Sequence, residues 1–297
     1  MTNYIRYMHV ERLDPDNVEV QGLLDGKVYI QPKIDGSNAS VWMRDGKLCF
    51  GKRSQEMGAG DDNRGVKAKY QNDPRYLDFF NEHPDVILYG EWLVKHTIST
   101  YLADAWNKLY IFDVCKEDEE GNIIEWIPYE TYSGWLDKYG IDYVPVIATL
   151  ENPSIEEVAA YTEQNHFLLP PGQIGEGIVV KRYGYVNPYG RVTWGKVVRT
   201  VFKAKARAKY KGNDDSIESK ILEDLFTPEF VQKEYEKIKQ MPDIDSKSII
   251  PRTVQSIPYI FITEEIGLIL KKYKRPTIDF NTLTRLCIER TKEYLGW

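Results

Sequence analysis

The sequence has few cysteines, and none of them is spaced for a disulfide framework or a metal site. The three are far apart in the chain: Cys49, Cys115 and Cys287. An odd number of widely separated cysteines is typical of a reducing compartment and excludes a Cys-x-x-Cys metal motif. The four histidines are equally scattered. We therefore interpret all of these residues as structural, because metal sites need ligands at short, regular spacings.

Long apolar runs are also absent. No stretch approaches the ~18 consecutive apolar residues that a membrane-spanning helix needs. The first residues, MTNYIRYMHVER, lack the basic start, apolar stretch and small-residue cleavage site of a secretory signal. The sequence therefore predicts a soluble intracellular protein with no membrane partner.

Acidic residues are missing from one segment of an otherwise acidic chain. The net charge is -6, yet residues 177–213 contain no Asp or Glu and ten Lys or Arg. Because phosphate binding depends on Lys and Arg, a local basic face on an acidic protein indicates a polyanionic substrate held at one site. The alternative is a basic strand and loop that is merely solvated.

What is present predicts two domains of different class. A length of 297 residues favours about two domains. In the first part of the chain, short strand-like runs alternate with turn signals, among them KVYIQPKI, SNASVWM before Asp45-Gly46, VILYGEWL, KLYIFDV and GIVVKRY. We predict an α+β fold, with a mainly antiparallel-sheet domain over residues 1–211 and a small all-α domain over residues 212–297.

Helix signals support this division. In the first domain they predict helices over Asp73–Asn81 and Tyr129–Tyr139, and a third helix capped by Ser154. In the second domain apolar residues recur at helical spacing throughout residues 217–294, with a strong start signal at Thr227-Pro228.

Lys33 opens a Lys-Ile-Asp-Gly tetrapeptide between two predicted strands. A lysine at a strand end, with a Gly turn behind it, is well placed for nucleophilic attack. It must lose its proton to attack, so its pKa has to fall from about 10.4 toward ~7–8 through burial and cationic neighbours. A surface lysine in a type I turn would have the same local sequence, and the tetrapeptide alone does not decide between the two.

Further short motifs follow Lys33 in a fixed order, each on a strand-like segment. They are Arg53 in GKRS, Glu91 in LYGEW, Phe112-Asp113 in YIFDV, Glu176 to Lys181 in EGIVVK, and Lys203 with Lys205 in VFKAK. Together with Lys33 they resemble the motifs of the covalent nucleotidyltransferases, which include DNA ligases, RNA ligases and messenger RNA capping enzymes. The resemblance covers roughly residues 30–206, and the ordered set is far more specific than any one motif.

The resemblance implies how ATP would be held. Lys33 would form a phosphoramidate with AMP. Lys181, Lys203 and Lys205 would neutralise the ATP phosphates and lower the pKa of Lys33 by like-charge proximity. Phe112 resembles the aromatic residue that stacks on adenine, although an aromatic residue in such a strand is more often part of the core.

The resemblance also implies a metal site with three carboxylates. Asp35, Glu91 and Glu176 supply the acidic oxygens that Mg²⁺ or Mn²⁺ prefers, either directly or through water. Glu91 resembles the glutamate expected at the ribose hydroxyls, and Glu176 resembles the glutamate near the metal.

Within this superfamily the chain resembles the phage-type RNA ligases, and the RNA ligase 2 family above all. The segment after VFKAK looks helical, whereas DNA ligases and capping enzymes carry an oligonucleotide-binding barrel there. Asn38 and Arg53 match residues that the RNA ligase 2 family needs for sealing. Asp35 departs from the family, which usually has a histidine there, and Pro32 replaces an acidic or polar residue. These two departures leave the adenine contacts open.

We therefore expect an ATP-dependent RNA ligase that joins 5′-phosphate and 3′-hydroxyl ends through a lysine-AMP intermediate and an adenylylated RNA end. The expected partners are ATP, Mg²⁺ or Mn²⁺, and RNA as a nicked duplex or broken loop. We expect a monomer in the cytoplasm of a bacterial or phage-infected cell. The alternatives are a DNA ligase with an atypical helical C-terminal domain and a non-catalytic nucleic-acid-binding module.

The resemblance assigns each site residue a role. The residues with catalytic roles are Lys33, Asp35, Arg53, Glu91, Glu176, Lys203 and Lys205. The residues expected to contact ATP are Lys33, Asn38, Arg53, Glu91, Phe112, Lys181, Lys203 and Lys205.

Overall fold

The computed structural model describes residues 4–15, 17–53, 55–94, 101–199, 216–241 and 244–297. The described residues fall into two compact units, one up to Val198 and one from Arg199 onwards. We call them the sheet unit and the helical unit. The domain boundary predicted between residues 211 and 212 lies outside the described residues.

The sheet unit contains two β-sheets. Its strands, numbered in chain order, are β1 (Glu11–Arg12), β2 (Lys27–Lys33), β3 (Ser37–Arg44), β4 (Lys47–Lys52), β5 (Gln55–Glu56), β6 (Val86–Leu93), β7 (Lys108–Glu117), β8 (Ile123–Trp126), β9 (Ala148–Glu151), β10 (Gly177–Lys181) and β11 (Gly195–Val198). The first sheet has the order β1-β11-β10-β2-β9 and the second the order β5-β4-β3-β6-β7-β8. Apart from β1 and β11, which are parallel, neighbouring strands are antiparallel.

Strand β2 is buried on both faces. The two faces differ in the side chains that they carry. Val28 and Ile30 pack on one face against apolar residues of β10. Gln31 and Lys33 point to the opposite face because side chains alternate along a strand. Gln31 is 1% exposed, and its side-chain amide donates to Tyr132 Oη at 3.0 Å and to the Val144 carbonyl at 2.9 Å. This sheet face therefore carries a buried polar side chain whose amide nitrogen is hydrogen-bonded, whereas its Oε1 accepts no hydrogen bond from the described residues.

Helices pack against both sheets: the first three contribute to the core of the second sheet, and the fourth packs against the first. They are α1 (Val66–Tyr70), α2 (Pro74–Glu82), α3 (Tyr129–Tyr139) and α4 (Ile155–Ala160), with short 3-10 segments at Val18–Val20, Asn63–Gly65, Ala103–Ala105 and Tyr161–Gln164. Helix α2 begins where Asp73 accepts a hydrogen bond from the Arg75 amide, and Ser154 forms a reciprocal capping box with Glu157 at the start of α4. These caps satisfy amides that the first helical turn leaves unpaired.

The helical unit has a core of its own. Its helices are α5 (Ile217–Leu225), α6 (Pro228–Lys239), α7 (Ile249–Lys272) and α8 (Phe280–Leu295). Thr227 caps α6, Pro228 is its first residue, and α8 ends at Gly296 in the left-handed conformation. Phe226, Phe261 and Cys287 are buried together with residues from all four helices.

The predicted fold class is confirmed: an antiparallel-sheet unit is followed by helices. Helix α3 has the predicted bounds, and the Asp45-Gly46 turn connects β3 to β4 with positive φ at both residues. Five short strands, β1, β5, β8, β9 and β11, were not predicted. Among the described helices, none combines the length and apolar character needed to cross a bilayer.

Candidate active site

Lys33 lies where the chain passes from one sheet to the other. It is the last residue of β2, and four residues later Ser37 begins β3 in the second sheet. Gly36 is required in this connection, because a Cβ atom there would lie 2.6 Å from the Trp92 carbonyl oxygen. The backbone of the turn passes so close to the Trp92 backbone that only glycine fits. This packing fixes the position of the strand end that carries Lys33.

Lys33 is paired with a carboxylate from the neighbouring strand. Gly177, the first residue of β10, is the ladder partner of Lys33, and Glu176 immediately precedes it. The Lys33 Nζ donates to Glu176 Oε2 at 2.6 Å. The two side chains are 27% and 19% exposed, so the pair lies close to solvent. A ligand can therefore reach this lysine without unfolding the sheet.

Glu91 stabilises the turn from the second sheet. Its Oε1 accepts a hydrogen bond from the Gly36 amide at 2.8 Å. Burial raises the pKa of Glu91 to about 7; the nearby Lys33 ammonium opposes this rise, and Asp35 adds to it. A carboxyl group with this pKa changes its protonation state near neutral pH, which is a frequent property of functional sites.

Asp35 is 8% exposed, and its backbone amide donates to the Tyr101 hydroxyl at 2.8 Å. Burial raises the pKa of Tyr101 well above its ordinary value, so the hydroxyl stays neutral. The sequence analysis missed Tyr101. No periodic pattern or motif marks it, and its partner is 66 residues away in the chain.

Lys181 is placed in a different environment from Lys33. Its Nζ lies 2.8 Å from Asp113 Oδ2, and the two side chains are 1% and 0% exposed. Tyr7 Oη and Trp194 Nε1 donate to the same oxygen at 2.5 and 3.1 Å. Burial lowers the pKa of Lys181, and the Asp113 carboxylate opposes that effect. The contact with ATP phosphates stays a prediction.

Phe112 lies at a β-bulge. Tyr89 pairs with Asp113 and Gly90 with Ile111, so Phe112 has no partner on β6. A bulge leaves one residue outside the ladder and turns its side chain and carbonyl. The Phe112 carbonyl accepts hydrogen bonds from Lys181 Nζ at 2.6 Å and from a tyrosine hydroxyl at 3.0 Å. The Phe112 ring is partly buried and lies 5.7 Å from the Lys181 ammonium.

Four further residues were predicted to belong to the site: Asn38, Arg53, Lys203 and Lys205. Asn38 is directly opposite Glu91 in the ladder between β3 and β6, and its Oδ1 is buried and accepts no hydrogen bond within the described part of the chain. Arg53 is exposed immediately after β4. Lys203 and Lys205 lie outside the described residues.

The predicted metal ligands are close enough to influence one another electrostatically. Asp35 and Glu176 both raise the pKa of Glu91. Within the described ranges, no three His, Cys, Asp or Glu side chains are grouped closely enough to hold an ion by themselves. The donor set fits a magnesium-type ion, which is commonly held by one or two carboxylates and completes its shell with water and substrate phosphates.

Comparison with known proteins gives a family. The sequence profile of the RNA ligase family matches residues 26–205, a segment that contains all of the predicted site residues. No curated protein sequence shows significant similarity to the chain.

Several solved structures have a similar arrangement. A mutant of the Naegleria gruberi RNA ligase with ATP and manganese is 15% identical, with a TM-score of 0.48 over 67% of this chain and 56% of that protein. The same ligase with pyrophosphate is 18% identical, with a TM-score of 0.47 over 69% and 59%. A candidate ATP-dependent DNA ligase of Aquifex aeolicus is 14% identical, with a TM-score of 0.49 over 98% and 65%.

The chain thus spans less than two thirds of the length of each of these three proteins. The profile match covers more than half of the 297 residues and includes the Lys33–Glu176 pair and the Glu91 contact. The chain belongs to the RNA ligase family.

Proposed function

We propose that this chain is an ATP-dependent RNA ligase that carries AMP on Lys33. The observation that supports it most is the pairing of Lys33 Nζ with Glu176 at 2.6 Å, close to solvent and inside the segment that matches the family. The Naegleria gruberi structures with ATP, AMP and manganese make ATP and a divalent ion the first reactants to test.

In the first step, Lys33 Nζ gives up a proton and attacks the α-phosphorus of ATP. A P–N bond forms, the bond to the β-phosphate oxygen breaks, and pyrophosphate leaves. Glu176 is within hydrogen-bond reach of Nζ, which is the first requirement for a group that takes this proton. A divalent ion would supply charge neutralisation at the phosphates and would be held by the carboxylates of Glu176, Glu91 and Asp35, directly or through water.

In the second step, an oxygen of an RNA 5′-phosphate attacks the AMP phosphorus, the P–N bond breaks, and Lys33 regains a proton. In the third step, a 3′-hydroxyl loses its proton and attacks the activated 5′-phosphate, so that AMP leaves and a phosphodiester forms. Asn38 and Glu91, which face each other across the ladder, are proposed to bind the nucleoside of ATP, because the buried Asn38 Oδ1 is an acceptor that a ligand hydroxyl can satisfy.

The test uses the full chain and ATP labelled at the α-phosphate. Covalent transfer of label to protein, followed by sealing of a nicked duplex whose 3′-hydroxyl strand is RNA, is the expected result. The matched substrate has the same sequence with a DNA strand at that position, and a broken RNA loop is the third. Absence of covalent label would overturn the proposal. Labelling with faster sealing of the DNA nick would replace it by the DNA ligase alternative.

We propose that the helical unit positions the polynucleotide ends. Its helices pack on a core of their own, and none of the predicted site residues lies in them. Holding two ends in line can lower a barrier by several kcal/mol, on the order of 7–11 at best. A folded fragment of residues 1–211 should accept AMP and fail to seal a nick. A folded fragment that does not accept AMP, or that seals as well as the whole chain, contradicts this proposal.

A further inference from the structure

The relative position of Lys33 and Glu176 is set at the end of one strand pair. Lys33 is the last residue of β2 and Gly177 the first of β10, and the two are ladder partners. Beyond this pair the strands separate, since β2 continues into the Gly36 turn and β10 is preceded by a loop. The backbone at this end therefore determines how far apart the lysine amine and the Glu176 carboxylate lie.

The side chain of Asn165 links β2 and β10 at the end where Lys33 and Gly177 pair. Its Nδ2 donates to the carbonyl of Lys33 at 3.1 Å and to the carbonyl of Gly177 at 2.6 Å. The side-chain amide carries two N–H donors, so one nitrogen can serve both carbonyls. The residue is 1% exposed, so water does not replace either bond. Asn165 thus links the strand of the lysine to the strand that follows Glu176.

The loop between Asn165 and Gly177 is built around this amide. The Gly175 amide donates to the Asn165 carbonyl at 2.8 Å. A Cβ atom on Gly175 would lie 2.3 Å from Asn165 Nδ2, closer than any real contact, so only glycine allows the chain to pass here. Asn165 Oδ1 is buried and accepts no hydrogen bond from the described residues. The two donated bonds are therefore the side chain's hydrogen bonds in the described part of the chain.

We infer that Asn165 is a positioning residue for the transfer of AMP to Lys33. It acts through the two backbone carbonyls and touches neither the amine nor the carboxylate. This inference rests on the proposed function, and it adds a residue that lies in none of the motifs that carry the family resemblance. Losing the link lets the ends of β2 and β10 move apart, and misplacement by about 1 Å can cost on the order of 100-fold in rate.

The test compares three variants of the full chain in single-turnover labelling by ATP. Asn165→Asp has the same shape, but it replaces the donor nitrogen by a carboxylate oxygen that faces the two carbonyls. Asn165→Ala removes the donors without adding a charge. Asn187→Ala is the matched control: Asn187 is 4% exposed, and its Nδ2 donates to Glu19 Oε2 at 2.6 Å and to Thr193 Oγ1 at 3.1 Å, away from Lys33.

Two readouts separate positioning from folding. The amplitude of labelling reports the folded fraction, and the rate constant at saturating ATP reports the geometry of the folded molecules. We expect the rate constant to fall about 100-fold in Asn165→Asp and about 10-fold in Asn165→Ala, with the half-saturating ATP concentration changed less than about threefold. In Asn187→Ala we expect a change in amplitude only.

The outcomes are distinguishable from a failure of the proposed function. If the wild-type chain does not label, the proposed function fails first. If it labels, and the Asn165 variants label with the wild-type rate constant, the positioning role is overturned and the ligase proposal stands. If neither Asn165→Asp nor Asn165→Ala folds, Asn165→Ser decides. It keeps one donor, and a wild-type rate constant in that variant overturns the inference, whereas an intermediate one supports it.

Discussion

One face of the first sheet carries two lysines that are each paired with a carboxylate, and the two pairs differ mainly in their access to water. Lys33 and Lys181 point to the same side, since Gly177 is opposite Lys33 and Lys181 is opposite Tyr29. The Lys33–Glu176 and Lys181–Asp113 distances are 2.6 and 2.8 Å, but the first pair is 27% and 19% exposed and the second 1% and 0%. A short distance between opposite charges therefore does not reveal what a pair does.

The surroundings explain the difference. Asp113 Oδ2 is held by donors from Tyr7 and Trp194 as well as Lys181, and Lys181 also donates to the Phe112 carbonyl. Such bonds offset part of the large cost of removing two charges from water. All three donors contact Asp113 Oδ2, and Oδ1 is buried without a hydrogen bond from the described residues. Lys33 and Glu176 remain partly hydrated, so a phosphate or a metal ion can replace either partner. We call Lys33–Glu176 the open pair and Lys181–Asp113 the closed pair. The open pair suits chemistry, and the closed pair suits structure.

The largest effect is expected from breaking the open pair at its nucleophile. Lys33→Arg keeps the positive charge beside Glu176 but removes the amine, so transfer of AMP should fall by about 1,000-fold or more. Stability should change by less than about 1 kcal/mol, because the side chain is near the surface. Mass spectrometry measures the first effect as loss of the AMP adduct, about 329 daltons from its formula, on the peptide with residue 33. An adduct of unchanged yield would exclude Lys33.

The second effect concerns the closed pair. Lys181→Met leaves the Asp113 carboxylate buried with only Tyr7 and Trp194, so the free energy of unfolding should fall by about 3 kcal/mol. Tryptophan fluorescence during urea unfolding measures it, because six of the seven tryptophans precede residue 199. Adding Asp113→Asn should restore about half of the loss, since no unpaired charge remains.

The same variant tests the role that the sequence predicted for Lys181. The rate constant of labelling by ATP should change less than about threefold if Lys181 is purely structural. A loss of about 100-fold in folded protein would instead support contact with the ATP phosphates, and it would remove the contrast between the two pairs.

The third prediction concerns Glu91, which lies near Lys33 and makes the free energy of unfolding depend on pH. Burial raises its pKa from the ordinary 4.5 to about 7, so the folded state binds a proton more tightly than the unfolded state. The stability that Glu91 contributes therefore falls as pH rises from about 4.5 to about 7 and changes little above that. Glu91→Gln keeps an acceptor for the Gly36 amide and should gain about 2 kcal/mol over the wild type between pH 5 and pH 8. Urea unfolding at both pH values measures this, and an advantage that shrinks with rising pH contradicts it.

The smallest effect concerns the hydroxyl that supports Asp113. Tyr7→Phe keeps the ring but removes a donor to a buried carboxylate, so the free energy of unfolding should fall by about 1.5 kcal/mol. Tyr89→Phe is the control, because its hydroxyl donates to the neutral Ile5 carbonyl at 3.1 Å and should lose about 1 kcal/mol or less. If both variants lost the same free energy of unfolding, the negative charge of Asp113 would not strengthen its hydrogen bond with Tyr7.

Local patterns were enough to predict much of the fold. The bounds of α3, the Ser154 cap and the Asp45-Gly46 turn depend on residues that are neighbours in the chain. The fixed order of short motifs selected Lys33, Glu91 and Glu176, whose side chains lie close together, and their catalytic roles stay predictions.

The contacts that set each environment could not be predicted in the same way. The sequence predicted that Lys181 contacts ATP phosphates, and it gave no sign of the distant Asp113 that pairs with the buried Lys181 ammonium. Asn165 lies in a segment without periodicity, and the carbonyl of Lys33 that it binds is 132 residues away. Without a pattern that links such distant positions, one sequence does not indicate their pairing.

The separation of partners along the chain has a consequence for synthesis. Lys33 and Glu176 are 143 residues apart, and β1 pairs with β11 through Glu11 and Gly195. At about 5–20 residues per second, a ribosome takes roughly 7–30 s to pass from the first partner to the second. For most of this interval β2 has neither β9 nor β10 to pair with, and its apolar Val28 and Ile30 are open to chaperones or to other chains. The Lys33–Glu176 pair that the proposed transfer of AMP needs therefore cannot form until most of the sheet unit has left the ribosome.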